Sequence, residues 1–142
     1  QAAVFNGDPV WVFSTVDKPA VTQALAAKNA RVIVLSADEQ GQVDLEQLLR
    51  WLGEQQINEV HVEAGAILNG ALWQKGLVDA MVNYIAPVVL GSGRPLMQMA
   101  DLHDLAEAQR MELVASQLVG SDVRLQMRHP QRWRQLYTQI QL

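Results

Sequence analysis

The chain has 142 residues, 49% apolar and 18% charged, with a net charge of −4 and no cysteine. That is enough for one domain with a real core. It excludes disulfides, thiolate nucleophiles, cysteine-ligated zinc and iron–sulfur clusters, and the acidic balance argues against general binding to nucleic acid. No apolar run has the length of a membrane span. Gln1-Ala2-Ala3 lacks the charged and apolar regions of a signal peptide. The absence of cysteine fits a reducing cytoplasm, the expected location. His61, His103 and His129 lie far apart and match no metal-ligand spacing, so no metal site is expected.

In chain order, Val10 to Ser14 is a short run rich in β-formers and reads as a strand buried on both faces. Pro19 then opens an alanine-rich helix running to Lys28. Arg31 to Leu35 is a second buried strand. Leu45, Leu48, Leu49 and Leu52 form one apolar stripe at helical spacing, with Asp44 as its cap and Gln47 at the capping-box position. Glu59 to Glu63 is the third strand, and Ala66 to Lys75 a helix closed by Gly76. Met81 to Leu90 is a long strand, in which Pro87 implies an edge or a bulge.

After a loop over 91–104, Glu112 to Val119 and Val123 to Arg128 form a hairpin around Gly120-Ser121-Asp122. Alternation turns Val123, Leu125 and Met127 inward, and Arg124, Gln126 and Arg128 outward. Trp133, Leu136, Tyr137 and Ile140 end the chain as a short helix. The order predicts an α/β fold with a mixed, mostly parallel sheet flanked by helices, and residues 1–142 as a single domain. A sheet that leaves an edge unpaired also predicts self-association, as a homodimer. Arg124, Arg128, Arg132 and Arg134 form a basic tail, either a small anionic contact surface or a solvated face.

The turn after the third strand carries the chemistry. Strand alternation puts Val60 and Val62 on the core side and His61 and Glu63 on the other. At the strand's carboxyl end, Glu63 can hold a sugar hydroxyl or an amide N–H, or act as a general base. Equally it can pair with a neighbour or cap the next helix. Gly65 allows close approach and unusual backbone angles. The N–H groups of Ala66, Ile67 and Leu68 lie at the helix start, where the dipole favours a phosphate. Gly70, on the first or second turn, lets a ligand or a neighbouring strand come close.

Gly65 and Gly70 have the glycine interval of a P-loop, but Ala71-Leu72 follows in place of Lys-Ser/Thr, which excludes nucleotide hydrolysis. Gly91-Ser-Gly93-Arg94 resembles only the beginning of a dinucleotide fingerprint and reads as a loop, with Arg94 as an alternative phosphate contact. His61, beside Glu63, reads as a structural histidine, with a catalytic role as the alternative.

The run from Ile57 to Asp79, continued by Tyr84-Ile-Ala-Pro-Val-Val-Leu-Gly91 and Arg94-Pro95 and preceded by the capped leucine helix 44–52, resembles the reductase domain of the riboflavin-biosynthesis bifunctional deaminase/reductase. The similarity runs from Trp11 to Met127. It implies a dihydrofolate-reductase-like fold. It implies NADPH-dependent reduction of the ribosylamino group of a 5-amino-6-(phosphoribosylamino)uracil, a small pyrimidine ribosyl phosphate, to the ribitylamino form. Glu63 then matches the substrate-binding carboxylate. Gly65, Ala66, Ile67, Leu68, Asn69, Gly70 and Ala71 match the turn and helix start that hold the NADPH phosphates. Ala64 and Ala66 stand where the family usually has glycine or proline.

The family's opening strand with its Ser-Leu-Asp-Gly segment, its Asp-Asp-Pro segment and the zinc deaminase half have no counterpart here. The chain is thus expected to be the C-terminal portion of a reductase domain. The competing expectation is a non-catalytic ligand-binding or assembly module that keeps the fold without a complete active site.

Overall fold

The computed structural model describes residues 3–140, apart from the side chains of Leu136, Tyr137, Gln139 and Ile140. The expected apolar stripe of Leu136, Tyr137 and Ile140 therefore lies outside the described side chains. The chain resolves into two compact units, residues 1–61 and 62–142.

In the first unit, β1 (Val10–Ser14) and β2 (Ala30–Val34) pair in parallel, joined by helix α1 (Pro19–Ala26). Pro19 occupies the first turn of α1, where its missing N–H costs nothing. Helix α2 (Leu45–Glu54) follows. Its stripe is inward as expected: Leu45 and Leu52 are buried, and Leu48 and Leu49 half-buried. Trp51 on α2 makes T-shaped contacts with Trp11 and Phe13 of β1 at centroid distances of 4.9 and 5.3 Å. Such aromatic pairs add about 0.5–1.5 kcal/mol to the area they bury.

Asp44 caps α2, accepting from the N–H groups of Glu46 at 2.9 Å and Gln47 at 3.1 Å. A cap of this kind is worth about 1 kcal/mol. Gln47 does not close the capping box. Its Oε1 accepts from the Ser36 N–H at 2.6 Å, and the Asp44 N–H goes to the Ser36 carbonyl at 3.0 Å. Gln47 therefore ties the incoming loop to the helix. The strands are also not buried on both faces: Trp11 of β1 is 36% exposed and Val34 of β2 50%.

In the second unit, α3 (Ala66–Gln74) ends in the expected left-handed glycine, Gly76 at φ +65°. The N–H of Gly76 reaches the Trp73 carbonyl and that of Leu77 the Leu72 carbonyl, each at 2.9 Å, which completes a Schellman motif. Leu72 and Trp73 are buried on this helix.

Strands β3 (Ala80–Ile85), β4 (Glu112–Val119) and β5 (Asp122–Arg128) form an antiparallel sheet in the order β3-β5-β4. The hairpin turn is Gly120-Ser121, with Gly120 at φ +62° in the first central position. That is the residue and place a type II′ turn demands.

Three expectations fail here. Residues 57–65 form no strand, so the third parallel strand is absent and Val60 and Val62 are 44% and 45% exposed. A strand exists only through a ladder partner, and none of the paired strands takes up this segment. The strand from Met81 stops at Ile85 instead of Leu90, because Pro87 has no N–H for the ladder and restricts Ala86. There the Val88 N–H folds back onto the Ala86 carbonyl at 2.8 Å. Finally, alternation in β5 does not sort into buried and exposed faces. No residue of the antiparallel sheet is buried. The α/β class stands, with a parallel pair and a separate antiparallel sheet where one mixed sheet was expected.

Candidate functional site

The second unit builds the site around the start of α3. Gly65 is the N-cap, at φ −80° and ψ 172°, and supplies no capping side chain. The first intrahelical bond is Asn69 N–H to the Gly65 carbonyl, 3.1 Å. Helix geometry leaves the N–H groups of Ala66, Ile67 and Leu68 without intrahelical acceptors, at the positive end of the dipole.

Ile67 is 75% exposed and Leu68 is exposed beside it. Gly65 does not use the left-handed freedom expected of it, and a Cβ built there meets no atom within 4 Å. Neither backbone angle nor packing requires glycine at 65. What remains of the expectation is close approach by something other than this chain's own atoms.

Residues 96–98 lie across the first turn of α3. The Gln98 N–H donates to the Ala66 carbonyl at 2.9 Å. The Asn69 Nδ2 donates to the carbonyls of Ala64 and Leu96, both at 3.2 Å. Gly70 is buried, and a Cβ there would stand 2.0 Å from the Gln98 carbonyl oxygen. The close neighbour expected at Gly70 is thus the backbone of Gln98. Sequence reasoning did not find Leu96 and Gln98, which act through main-chain atoms. The only sequence signal was Gly70 itself, since a glycine inside a helix costs about 1 kcal/mol against alanine and needs a packing reason.

Glu63 is exposed, two residues before the N-cap. Two residues span at most about 7 Å, so the chain itself delivers this carboxylate to the α3 turn, without the expected strand. Ala71 follows Gly70, half-buried. Arg94 is exposed in the loop that leads into Leu96. Among the described residues no group of three histidine, aspartate or glutamate side chains could hold a metal ion.

Two of the tail arginines have partners within the chain. Arg128 on β5 binds Glu112 on β4 through two bonds, Nε at 2.9 Å and Nη2 at 3.0 Å. The guanidinium holds the Glu112 carboxyl below the usual carboxylate range. Helix α4 (Pro130–Ile140) carries Arg132, whose Nε meets Asp79 at 2.5 Å and whose Nη1 meets the Gly76 carbonyl at 2.7 Å. Arg132 thus fastens α4 to the turn that ends α3. Both ion pairs are part-exposed, so each is a modest anchor.

An α/β fold with a bare, glycine-capped helix start is the class of protein that offers backbone donors to an anionic group. The chain belongs to the family described as the RibD C-terminal domain, which it matches over residues 1–125. It is 44% identical over 95 residues to the riboflavin biosynthesis protein RibD of Escherichia coli, covering 66% of this chain and 26% of that protein. It is 29% identical over 93 residues to a 5-amino-6-(5-phosphoribosylamino)uracil reductase of Buchnera aphidicola, covering 65% of this chain and 45% of that one. Acinetobacter baumannii RibD superposes with a TM-score of 0.69 at 31% identity, over 84% of this chain and 30% of that one. The chain therefore spans between about a quarter and a half of the length of these relatives. The likeness places its fold in the dihydrofolate-reductase-like α/β class.

Proposed function

We propose that the chain forms part of an NADPH-dependent reductase of riboflavin biosynthesis. It would reduce the ribosylamino group of a 5-amino-6-(phosphoribosylamino)uracil. The relatives' names support the reaction: one is a reductase of that uracil, and a Methanothermobacter thermautotrophicus relative, 34% identical over 98 residues, is a 2,5-diamino-6-ribosylamino-4(3H)-pyrimidinone 5′-phosphate reductase. The observation that carries the reading is the α3 start, an N-cap without a side chain and with open space where its Cβ would be.

That arrangement fits a cofactor phosphate, which takes up N–H groups the helix cannot satisfy. Gly65, Ala66, Ile67 and Leu68 present donors in this reading, Asn69 and Gly70 shape the turn, and Ala71 continues the helix start. Glu63 orients the pyrimidine substrate beside it. When bound, NADPH supplies the hydride; the protein supplies orientation and electrostatics.

Gly65→Val tests the assignment. A branched side chain fills the space a phosphate would use, yet meets no protein atom near its Cβ. NADPH affinity measured by calorimetry should fall at least tenfold, about 1.4 kcal/mol, with the fold retained by circular dichroism. Unchanged affinity would remove the phosphate from this turn.

Residues 1–142 as one reductase domain, a cytoplasmic location and a homodimeric state complete the reading. The family match over 1–125 crosses both compact units, which supports the single domain. No described helix is long and apolar enough to cross a membrane. The dimer is supported by β3 and β4, which are sheet edges carrying exposed Tyr84, Leu113 and Leu118, and by exposed Val89 and Leu90 in the loop and Leu105 at the start of a short 3-10 turn. Apolar edges of this kind seek a partner. Sedimentation should show a dimer at micromolar concentrations, and a monodisperse monomer would contradict it. No observation favours a non-catalytic module over the reductase.

A further inference from the structure

We propose that Asn69 is a positioning residue for the cofactor, acting by fixing the direction in which the Gly65 N–H points. The inference rests on the reading of the α3 turn as the NADPH phosphate site. Asn69 is half-buried in the first turn of α3. Its Nδ2 donates to the Ala64 and Leu96 carbonyls, both at 3.2 Å.

The Ala64 carbonyl and the Gly65 N–H belong to the same peptide, which is trans like every other in the described chain. In a trans peptide the C=O and the following N–H point to opposite sides. A grip on the Ala64 oxygen therefore turns the Gly65 N–H away from Asn69 and from residues 96–98. The helix alone does not set this direction, because that peptide precedes the N-cap and Gly65 lets it rotate at low cost. With the grip in place, the Gly65 N–H becomes a fixed fourth donor next to those of Ala66, Ile67 and Leu68.

The second bond, to Leu96, holds the 96–98 segment down where Gln98 also reaches Ala66. One amide NH₂ has two protons, so it can serve both carbonyls at once. Alanine at 69 has none to give, and aspartate turns acceptors toward acceptors.

The test is NADPH binding and thermal melting of this chain in four forms: unaltered, Asn69→Ala, Asn69→Asp and Arg132→Ala. Arg132 fastens α4 to the C-terminal end of α3, opposite the proposed site, and supplies a control destabilised outside it. Asn69→Ala should raise the NADPH Kd about fivefold to tenfold, with the Gly65 amide losing most of its NMR shift on NADPH addition. The amides of Ala66, Ile67 and Leu68 should still shift. Arg132→Ala should lower the melting temperature with Kd within about twofold of the unaltered chain. Asn69→Asp should bind more weakly still.

Equal Kd for Asn69→Ala and the unaltered chain would overturn the inference and leave the cofactor site standing. So would a loss that Arg132→Ala reproduces. Failure of the unaltered chain to bind NADPH would overturn the cofactor reading itself, and this inference with it.

Discussion

In the longer parent protein, Glu63→Gln should lower reductase kcat/KM at least tenfold, about 1.4 kcal/mol of transition-state stabilisation. The substitution keeps the side chain's size and one acceptor oxygen and removes its charge. Glu63 is exposed, two residues ahead of the α3 N-cap, so the change should move folding stability by no more than about 0.5 kcal/mol. NADPH affinity should hold within about twofold, because in the proposed site the phosphates meet backbone N–H groups. Steady-state kinetics with both substrates varied, together with a melting curve, separates the outcomes. A lowered melting temperature and weaker NADPH binding with turnover intact would make Glu63 a support of the fold. Unchanged kcat/KM would remove it from the site.

Gly70→Ala should be the most damaging single-methyl change near the site. On propensity alone, alanine inside a helix gains about 1 kcal/mol over glycine. Here the added Cβ stands 2.0 Å from the Gln98 oxygen and 2.9 Å from its carbonyl carbon. Those are backbone atoms, held by the Gln98 N–H bond to Ala66 and the Leu96 bond to Asn69. They cannot swing aside as a flexible side chain would, so the 96–98 segment must lift off the helix. Overpacking of this kind costs about 1–3 kcal/mol, more than the propensity gain. Urea denaturation should show a net loss of stability, and hydrogen exchange should rise at residues 96–98. A neutral or stabilised Gly70→Ala would mean the segment is not seated as described.

These two residues also mark what the sequence made legible. Features set by neighbours in the chain were readable: β1 at Val10–Ser14, the Asp44 cap, the Gly76 terminus and the Gly120 turn all appear where local chemistry demands them. Gly70 was readable as a close approach, but its partner was not. Gln98 lies far along the chain and contributes only main-chain atoms, which no side-chain pattern reveals.

The misses share that cause. Residues 59–63 have the alternation of a strand, yet a strand needs a ladder partner, and alternation cannot say whether one is present. Gln47 sits at the capping-box spacing but was claimed by the Ser36 N–H, a longer-range donor. Val123, Leu125 and Met127 alternate as a buried face would, but burial requires a close covering layer, and the residues of β5 are at most half-buried on either face. The basic tail read as a solvated face in preference to a contact surface. The structure gave Arg128 and Arg132 the partners Glu112 and Asp79, a choice that depends on which acids the fold brings near.

If the backbone at the start of α3 receives the phosphates of NADPH, as proposed, the amide NMR spectrum of this chain titrated with NADP shows it most directly. Saturable shifts should concentrate at the N–H groups of Gly65, Ala66, Ile67 and Leu68, with the C-terminal turn of α3 little affected. Saturating NADP that leaves those four amides unshifted, or that shifts another part of the chain in their place, would contradict it.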